Sequence, residues 1–171
     1  MIEIKNSELN DVENILEFYR EAIAYQKKKN GIPWQITERS SIEKEVKESR
    51  QYKLMVGNEI ACIWVVAFND HEIWRDKDSE PSVYLHRIAT NPKFRGRNLV
   101  SEVITWAKGF ALKNHKRYLR LDTAGINPGL ITKYVQNGFK FIDTTEIGVS
   151  DSLPAHYHNA QICLFEMNLH S

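Results

Sequence analysis

The chain has 171 residues, 42% hydrophobic and 26% charged, with a net charge of +1. That length and balance fit one folded domain over residues 1–171 with a sizeable core, and exclude a disordered or fibrous chain. The near-neutral charge argues against a nucleic-acid partner, and the longest apolar run, Ile60 to Phe68, is too short to span a bilayer. The first residues lack the basic-then-apolar order of a secretory signal. Cys62 and Cys163 show no metal or redox spacing, so they read as reduced core thiols of a cytoplasmic protein.

In chain order, Ile2, Glu3 and Ile4 alternate as a short strand. Asn10 with Glu13 marks a helix start, and Val12, Ile15, Leu16, Tyr19, Ala22 and Ile23 repeat along one apolar helical face. Lys27, Lys28 and Lys29 close that helix, where cations suit the dipole, and read as a solvated end and not a binding site. A loop from Gly31 to Gln35 then carries Trp34. Ser40 and Glu43 form a capping pair for a second helix to Ser49, with Ile42 and Val46 facing inward. Tyr52–Val56 and Glu59–Phe68 flank Gly57-Asn58, a hairpin signal whose second strand is apolar enough for both faces to be covered. Asn69 to Pro81 reads as a long polar loop holding Trp74, of a length that often serves function.

Ser82 to Val100 is the most informative stretch. It reads as a strand with Val83, Leu85 and Ala89 on one face and Tyr84, His86, Ile88 and Thr90 on the other. Asn91-Pro92 ends the strand, and Lys93, Arg95, Gly96 and Arg97 follow. A helical stripe then begins at Leu99 and Val100 and continues through Val103, Ile104, Ala107, Phe110 and Ala111. Cations beside a helix N-terminus make either a phosphate site or a solvated basic loop. Tyr118 to Asp122 is the next strand, and Asn127-Pro128 supplies the N-cap and first residue of a helix ending at Asn137-Gly138. Strands at Phe139–Ile142 and Gln161–Leu169 follow, joined through His156, Tyr157 and His158. Those histidines lack a third ligand, so no metal site is expected.

Two of these stretches resemble motifs of the GNAT superfamily of acetyl-CoA-dependent N-acetyltransferases. Arg95-Gly96-Arg97-Asn98-Leu99-Val100 is similar to its motif A, Gln/Arg-x-x-Gly-x-Gly/Ala, with Asn98 and Val100 in place of the small residues. Asn127, Leu130, Tyr134, Gly138 and Phe139 are similar to its motif B, with Leu130 replacing Ala. The resemblance implies a mixed α/β fold: a twisted, mostly antiparallel sheet flanked by helices on both faces, its central strand splayed from a parallel neighbour. It implies that the cleft lies between residues 86–90 and 118–122. It further implies acetyl-CoA as cosubstrate, with the amides and cations from Arg95 to Val100 on its pyrophosphate. The backbone of Ile88, Ala89 and Thr90, with Asn127, would lie along its pantetheine arm.

Acetyl transfer needs a neutral amine, a polarised thioester, a protonated leaving thiolate and a held cofactor. Tyr134 matches the family tyrosine that protonates the thiolate. His86 is the candidate general base, an imidazole suited to accepting an amine proton near neutral pH, although a lone strand histidine can equally be structural. Asp122 is a second candidate base or a turn residue. Trp34 and Tyr84 are candidate acceptor contacts, with Trp74 and Tyr157 as further aromatic walls and Glu72 and Glu80 as groups that would steer a cation. The expected partners are therefore acetyl-CoA and an amine on a small molecule or peptide. Dimers are common in the family, and nothing in the chain sets the oligomeric state. A non-catalytic acyl-CoA sensor of the same fold is the alternative, whereas a dinucleotide or nucleotide enzyme would need the GxGxxG or GxxxxGK[ST] pattern that this chain lacks.

Overall fold

Seven strands share one sheet in a computed structural model that describes residues 1–170. The chain runs β1 (Ile2–Asn6), α1 (Val12–Lys28), α2 (Arg39–Lys47), β2 (Gln51–Val56), β3 (Glu59–Ala67), α3 (His71–Trp74) and β4 (Ser82–Thr90). It continues through α4 (Leu99–Lys113), β5 (Tyr118–Ala124), α5 (Pro128–Gln136), β6 (Lys140–Glu146) and β7 (Gln161–Asn168). The strand order is β1-β2-β3-β4-β5-β7-β6, and β4–β5 is the parallel pair among antiparallel ones.

Apolar side chains cover both faces. Val100, Val103, Ile104, Ala107 and Ala111 of α4 and Tyr134 of α5 pack on Val83, Leu85, Leu119 and Leu121. Val12, Ile15, Phe18 and Tyr19 of α1 join Ile42 and Val46 of α2 over Ile63 and Ala89 on the other face. The helical periodicities thus hold, but two starts differ. A capping box between Glu8 and Asp11 launches the first helix, so Asn10 is not its cap. The second helix begins at Arg39 behind Glu38, with Ser40 already inside it.

The stretch from Asn69 to Pro81 is a correction, because α3 and a 3₁₀ turn over Arg75–Ser79 occupy most of it. Trp74 is buried there against Tyr84, with ring centroids 5.8 Å apart and the Arg120 guanidinium 4.7 Å above the indole. Arg120 is itself fully buried and pairs with Glu80 and Glu166. Glu80 therefore neutralises the interior and does not steer substrate, while Glu72 accepts hydrogen bonds from Ser150 and Ser152.

A bulge in β4 decides the site. Ile63 faces Ala89 while Val65 faces His86, so one residue of β3 spans two of β4, and Arg87 takes a φ of 49°. The extra residue reverses the alternation beyond it. Ile88 joins Val83 and Leu85 under α4, and Ala89 turns to α1 and α2. The uninterrupted period-two assignment of Ile88 and Ala89 is therefore reversed. Just beyond the pairing of Ser82–Leu85 with Tyr118–Leu121, β4 and β5 separate. The opening consequently faces Asp122 to Ala124, because most of the expected 118–122 wall is still paired.

Candidate active site

The separation of β4 and β5 leaves a cleft of about 1060 Å³. One end is the loop before α4. Gly96 (φ 83°) and Asn98 (φ 55°, ψ 34°) both adopt left-handed backbone, and Asn98 occupies the N-cap position of α4. That conformation suits glycine and is tolerated by asparagine, which is why Asn98 can stand where a small residue is usual. The N–H groups of Gly96, Asn98, Leu99 and Val100 have no acceptor among the described residues. Such amides at a helix N-terminus attract anions. Val100 points its side chain into the core at 7% exposure, so its branching does not obstruct these amides. Arg95, Lys29 and Lys133 line this cleft, and the Arg95 guanidinium lies 4.2 Å from the centre of the Tyr25 ring. Arg97 instead stacks on Phe94 at 5.0 Å. Lys29, expected only as a solvated helix end, belongs to the wall.

Along the floor runs the exposed edge of β4. Asn91 donates to the carbonyl of Ala61, and by antiparallel alternation Ala89 shares bonds with β3 while the backbone groups of Ile88 and Thr90 face the opening. Asn127 caps α5 by accepting the N–H of Leu130 at 3.1 Å. Tyr134 is 8% exposed, packed against Phe139 and Phe165, and lines the cleft. Its hydroxyl makes no hydrogen bond with the described residues. Burial and the nearby Cys62 and Asp122 raise its phenol above the ordinary value, and burial pushes the Cys62 thiol up to about 12.

The far end carries charge. His86 Nε2 lies 3.7 Å from Asp70 Oδ2, and the donor atoms of Asp70, His86 and Asp122 lie within 4.8 Å of one another. Tyr157 donates to Asp122 Oδ2 at 2.9 Å. Burial pushes the Asp122 carboxyl up to about 6, and burial with neighbouring carboxylates pushes Asp70 up to about 8. His86 is held down to about 4 by burial and by Arg87 and Arg50. Asp122 lies inside β5 and not in a turn. Asp70 was missed by sequence reasoning, since only its place at the entry to α3, beside the bulged strand, turns it inward.

Trp34 and Tyr157 also line the cleft. Tyr84 does not: it is fully buried, donating to Asp78 and accepting from Arg120, which removes it from acceptor contact. Above the cleft the loop after α1 is tied down by Gln35, whose N–H donates to His156 Nδ1 and whose Oε1 accepts the N–H of Ala155. Ile32 of that loop rests on Gly125 (φ 81°), where a Cβ would meet it at 3.0 Å.

The fold recurs in solved structures. One is a GNAT-family acetyltransferase from Listeria monocytogenes, which superposes with a TM-score of 0.78 at 18% identity over 98% of this chain and 94% of its own. A structure of yncA from Salmonella typhimurium with its cofactor acetyl-CoA gives a TM-score of 0.71 at 13% identity, covering 98% and 94%. At those identities the likeness concerns the fold. In sequence, the chain is 32% identical over 79 residues to the uncharacterized N-acetyltransferase YesJ of Bacillus subtilis, a match spanning 46% of this chain and 44% of that protein. No helix among the described residues is long and apolar enough to cross a membrane. Residues 16–139 match the Acetyltransferase (GNAT) family model, and the chain belongs to the GNAT family of acetyltransferases.

Proposed function

We propose that this protein moves an acetyl group from acetyl-CoA to a primary amine by direct attack within a ternary complex. The observation that carries the reading is the polarity of one continuous cleft. Unpaired amides and cations stand at one end, the Asp122 carboxyl and the His86 imidazole at the other, with an unbonded tyrosine hydroxyl along its wall. The amides from Gly96 to Val100 take the pyrophosphate, with Arg95 beside them. The free backbone groups of Ile88 and Thr90 pair with the pantetheine arm, and an N–H on this edge polarises the thioester carbonyl.

The amine proton passes to His86 or Asp122, which line the cleft together; Asp122, pushed up to about 6, is a better acceptor than His86, held down to about 4. The amine nitrogen then bonds to the acetyl carbon, the C–S bond breaks, and Tyr134 donates to the departing sulfur. A phenol with a raised pKa is a poor acid in water. Desolvation beside the core, which pushes the nearby Cys62 thiol up to about 12, raises the leaving thiolate in the same direction, so donor and acceptor are better matched than their ordinary values imply. The test is acetyl-CoA binding by calorimetry together with thiol release against a panel of amines. Binding with turnover supports the transferase. Binding without turnover on any amine supports a non-catalytic acyl-CoA module, and no binding refutes both.

A further inference from the structure

A buried polar chain reaches the β4 bulge from the side of α1 and α2. Arg87, at the bulge, pairs with Glu45 of α2, and its guanidinium lies 5.3 Å from the centre of the Tyr19 ring of α1. The Tyr19 hydroxyl donates to Gln51 Oε1 at 3.3 Å. Gln51 Nε2 donates at 3.1 Å to the carbonyl of Trp64, the β3 residue that stands opposite the bulge. Tyr19, Glu45 and Gln51 are 3%, 9% and 0% exposed, and none of the three lines the cleft. Burying such groups costs free energy, and Val12, Ile15, Ile42 and Val46 already supply apolar packing around them. The best-attested use of buried polar pairs is to fix one register against its neighbours.

The register of β4 decides which backbone groups face the cleft. Ala89 and Asn91 bond to β3 beyond the bulge, which leaves Ile88 and Thr90 facing the opening. Without the extra residue, continuous pairing from His86 with Val65 would set Ile88 opposite Ile63 and Thr90 opposite Ala61. The N–H and C=O groups of Ile88 and Thr90 would then bond to β3, and those of Arg87 and Ala89 would face the cleft. The backbone at Arg87 works against the bulge, because a residue with a Cβ disfavours its φ of 49° on the order of tenfold. Something else must hold it.

We propose that the Arg87–Glu45 pair, backed by Tyr19 and Gln51, is the latch that holds the β4 bulge, making Arg87 a positioning residue for the edge that receives the cofactor. This rests on the reading that acetyl-CoA pairs with Ile88 and Thr90. With the latch closed the edge is set before the cofactor arrives, so binding does not have to shift a register. The hold depends on charge. The pair is made through Arg87 Nη2 and Glu45 Oε1, while Arg87 Nε and Glu45 Oε2 have no partner among the described residues. A neutral amide at position 45 keeps at most a weaker bond. Arg87 also borders the cleft, so direct contact with the cofactor is the competing role.

The intact protein is compared with Glu45→Gln, Arg87→Ala, Arg87→Gly and the Glu45→Gln, Arg87→Gly double variant. Acetyl-CoA affinity is read by calorimetry, and the register by amide hydrogen exchange. In wild type the Ala89 amide should be protected and the Ile88 amide not. Glu45→Gln and Arg87→Ala should each weaken acetyl-CoA binding and speed Ala89 exchange by roughly tenfold. Losing a negative charge would by itself favour an anionic cofactor, so weaker binding in Glu45→Gln reports geometry. Arg87→Gly loses the latch and the backbone penalty together, so both readouts should stay within about threefold of wild type. Glu45→Gln should then be silent in the Arg87→Gly background. Either Glu45→Gln or Arg87→Ala matching wild type overturns the latch. So does Arg87→Gly binding as weakly as Arg87→Ala, which would give the guanidinium a direct cofactor contact. Should Arg87→Ala fail to fold, Glu45→Gln and the double variant decide. A wild type that binds no acetyl-CoA refutes the transferase reading, while Ala89 exchange still decides the latch.

Discussion

Replacing Tyr134 with Phe removes one oxygen from the cleft and nothing else. The ring keeps its contacts with Phe139 and Phe165, at centroid distances of 6.0 and 5.3 Å. The lost hydroxyl leaves no stranded partner, since it bonds to none of the described residues. Stability should therefore change by less than about 0.5 kcal/mol. Activity should not be spared. The core thiol of Cys62 nearby is pushed from 9.0 to about 12 by burial, an upper bound on how far a bare thiolate is disfavoured in the more open cleft. At 1.36 kcal/mol per unit, that bound amounts to about 4 kcal/mol, or at most roughly a thousandfold in rate if nothing else protonates the sulfur. Water entering the space of the lost hydroxyl would recover part of this, so kcat should fall between about tenfold and a thousandfold. The assay is thiol release at saturating acetyl-CoA with a parallel melting curve. A variant within twofold of wild type, equally stable, would refute proton donation by Tyr134.

Three further outcomes are expected. Asn98→Ala should cost about 1–2 kcal/mol in urea denaturation and weaken acetyl-CoA binding, while Asn98→Gly should keep both, because the position is left-handed. Arg120→Met should cost about 3–5 kcal/mol by stranding Glu166 in the interior, whereas Glu80→Gln, at a side chain 40% exposed, should cost under about 1 kcal/mol. Asp122 titrates at about 6 when folded against an ordinary 3.8, so its contribution to stability is full below about pH 4 and is lost as the pH rises through about 6. Asp122→Asn should therefore stabilise the protein by about 1–3 kcal/mol at pH 8 and by little at pH 4, as read from melting curves at both pH values. A variant less stable than wild type at pH 8 would show that the carboxylate earns its place structurally.

Local chemistry made most elements and the proposed cofactor end legible in the sequence. Apolar spacing placed both long helices, Gly57-Asn58 placed a hairpin, and Asn127-Pro128 placed a cap that the structure forms. The basic loop before Leu99 pointed to an anion site because a helix N-terminus exposes amides wherever it occurs. The proposed acceptor end was legible only in part: His86, Trp34 and Tyr157 line the cleft, but Tyr84 and Trp74 are in the core. What misled there was the bulge and the buried ion pairs. A β-bulge carries no reliable signature in one sequence, yet the extra residue at Arg87 reverses the faces of Ile88 and Ala89. Likewise Arg120 looks like a surface charge until the parallel register of β4 with β5 buries it beside Tyr84, where Glu80 and Glu166 pair with it. The sequence by itself determined the strands, the longer helices and the helix start with its exposed amides, though not α3, because those depend on residues a few positions apart. Tertiary structure alone decided that Asp70, His86 and Asp122 meet, because their convergence depends on where two strands stop pairing.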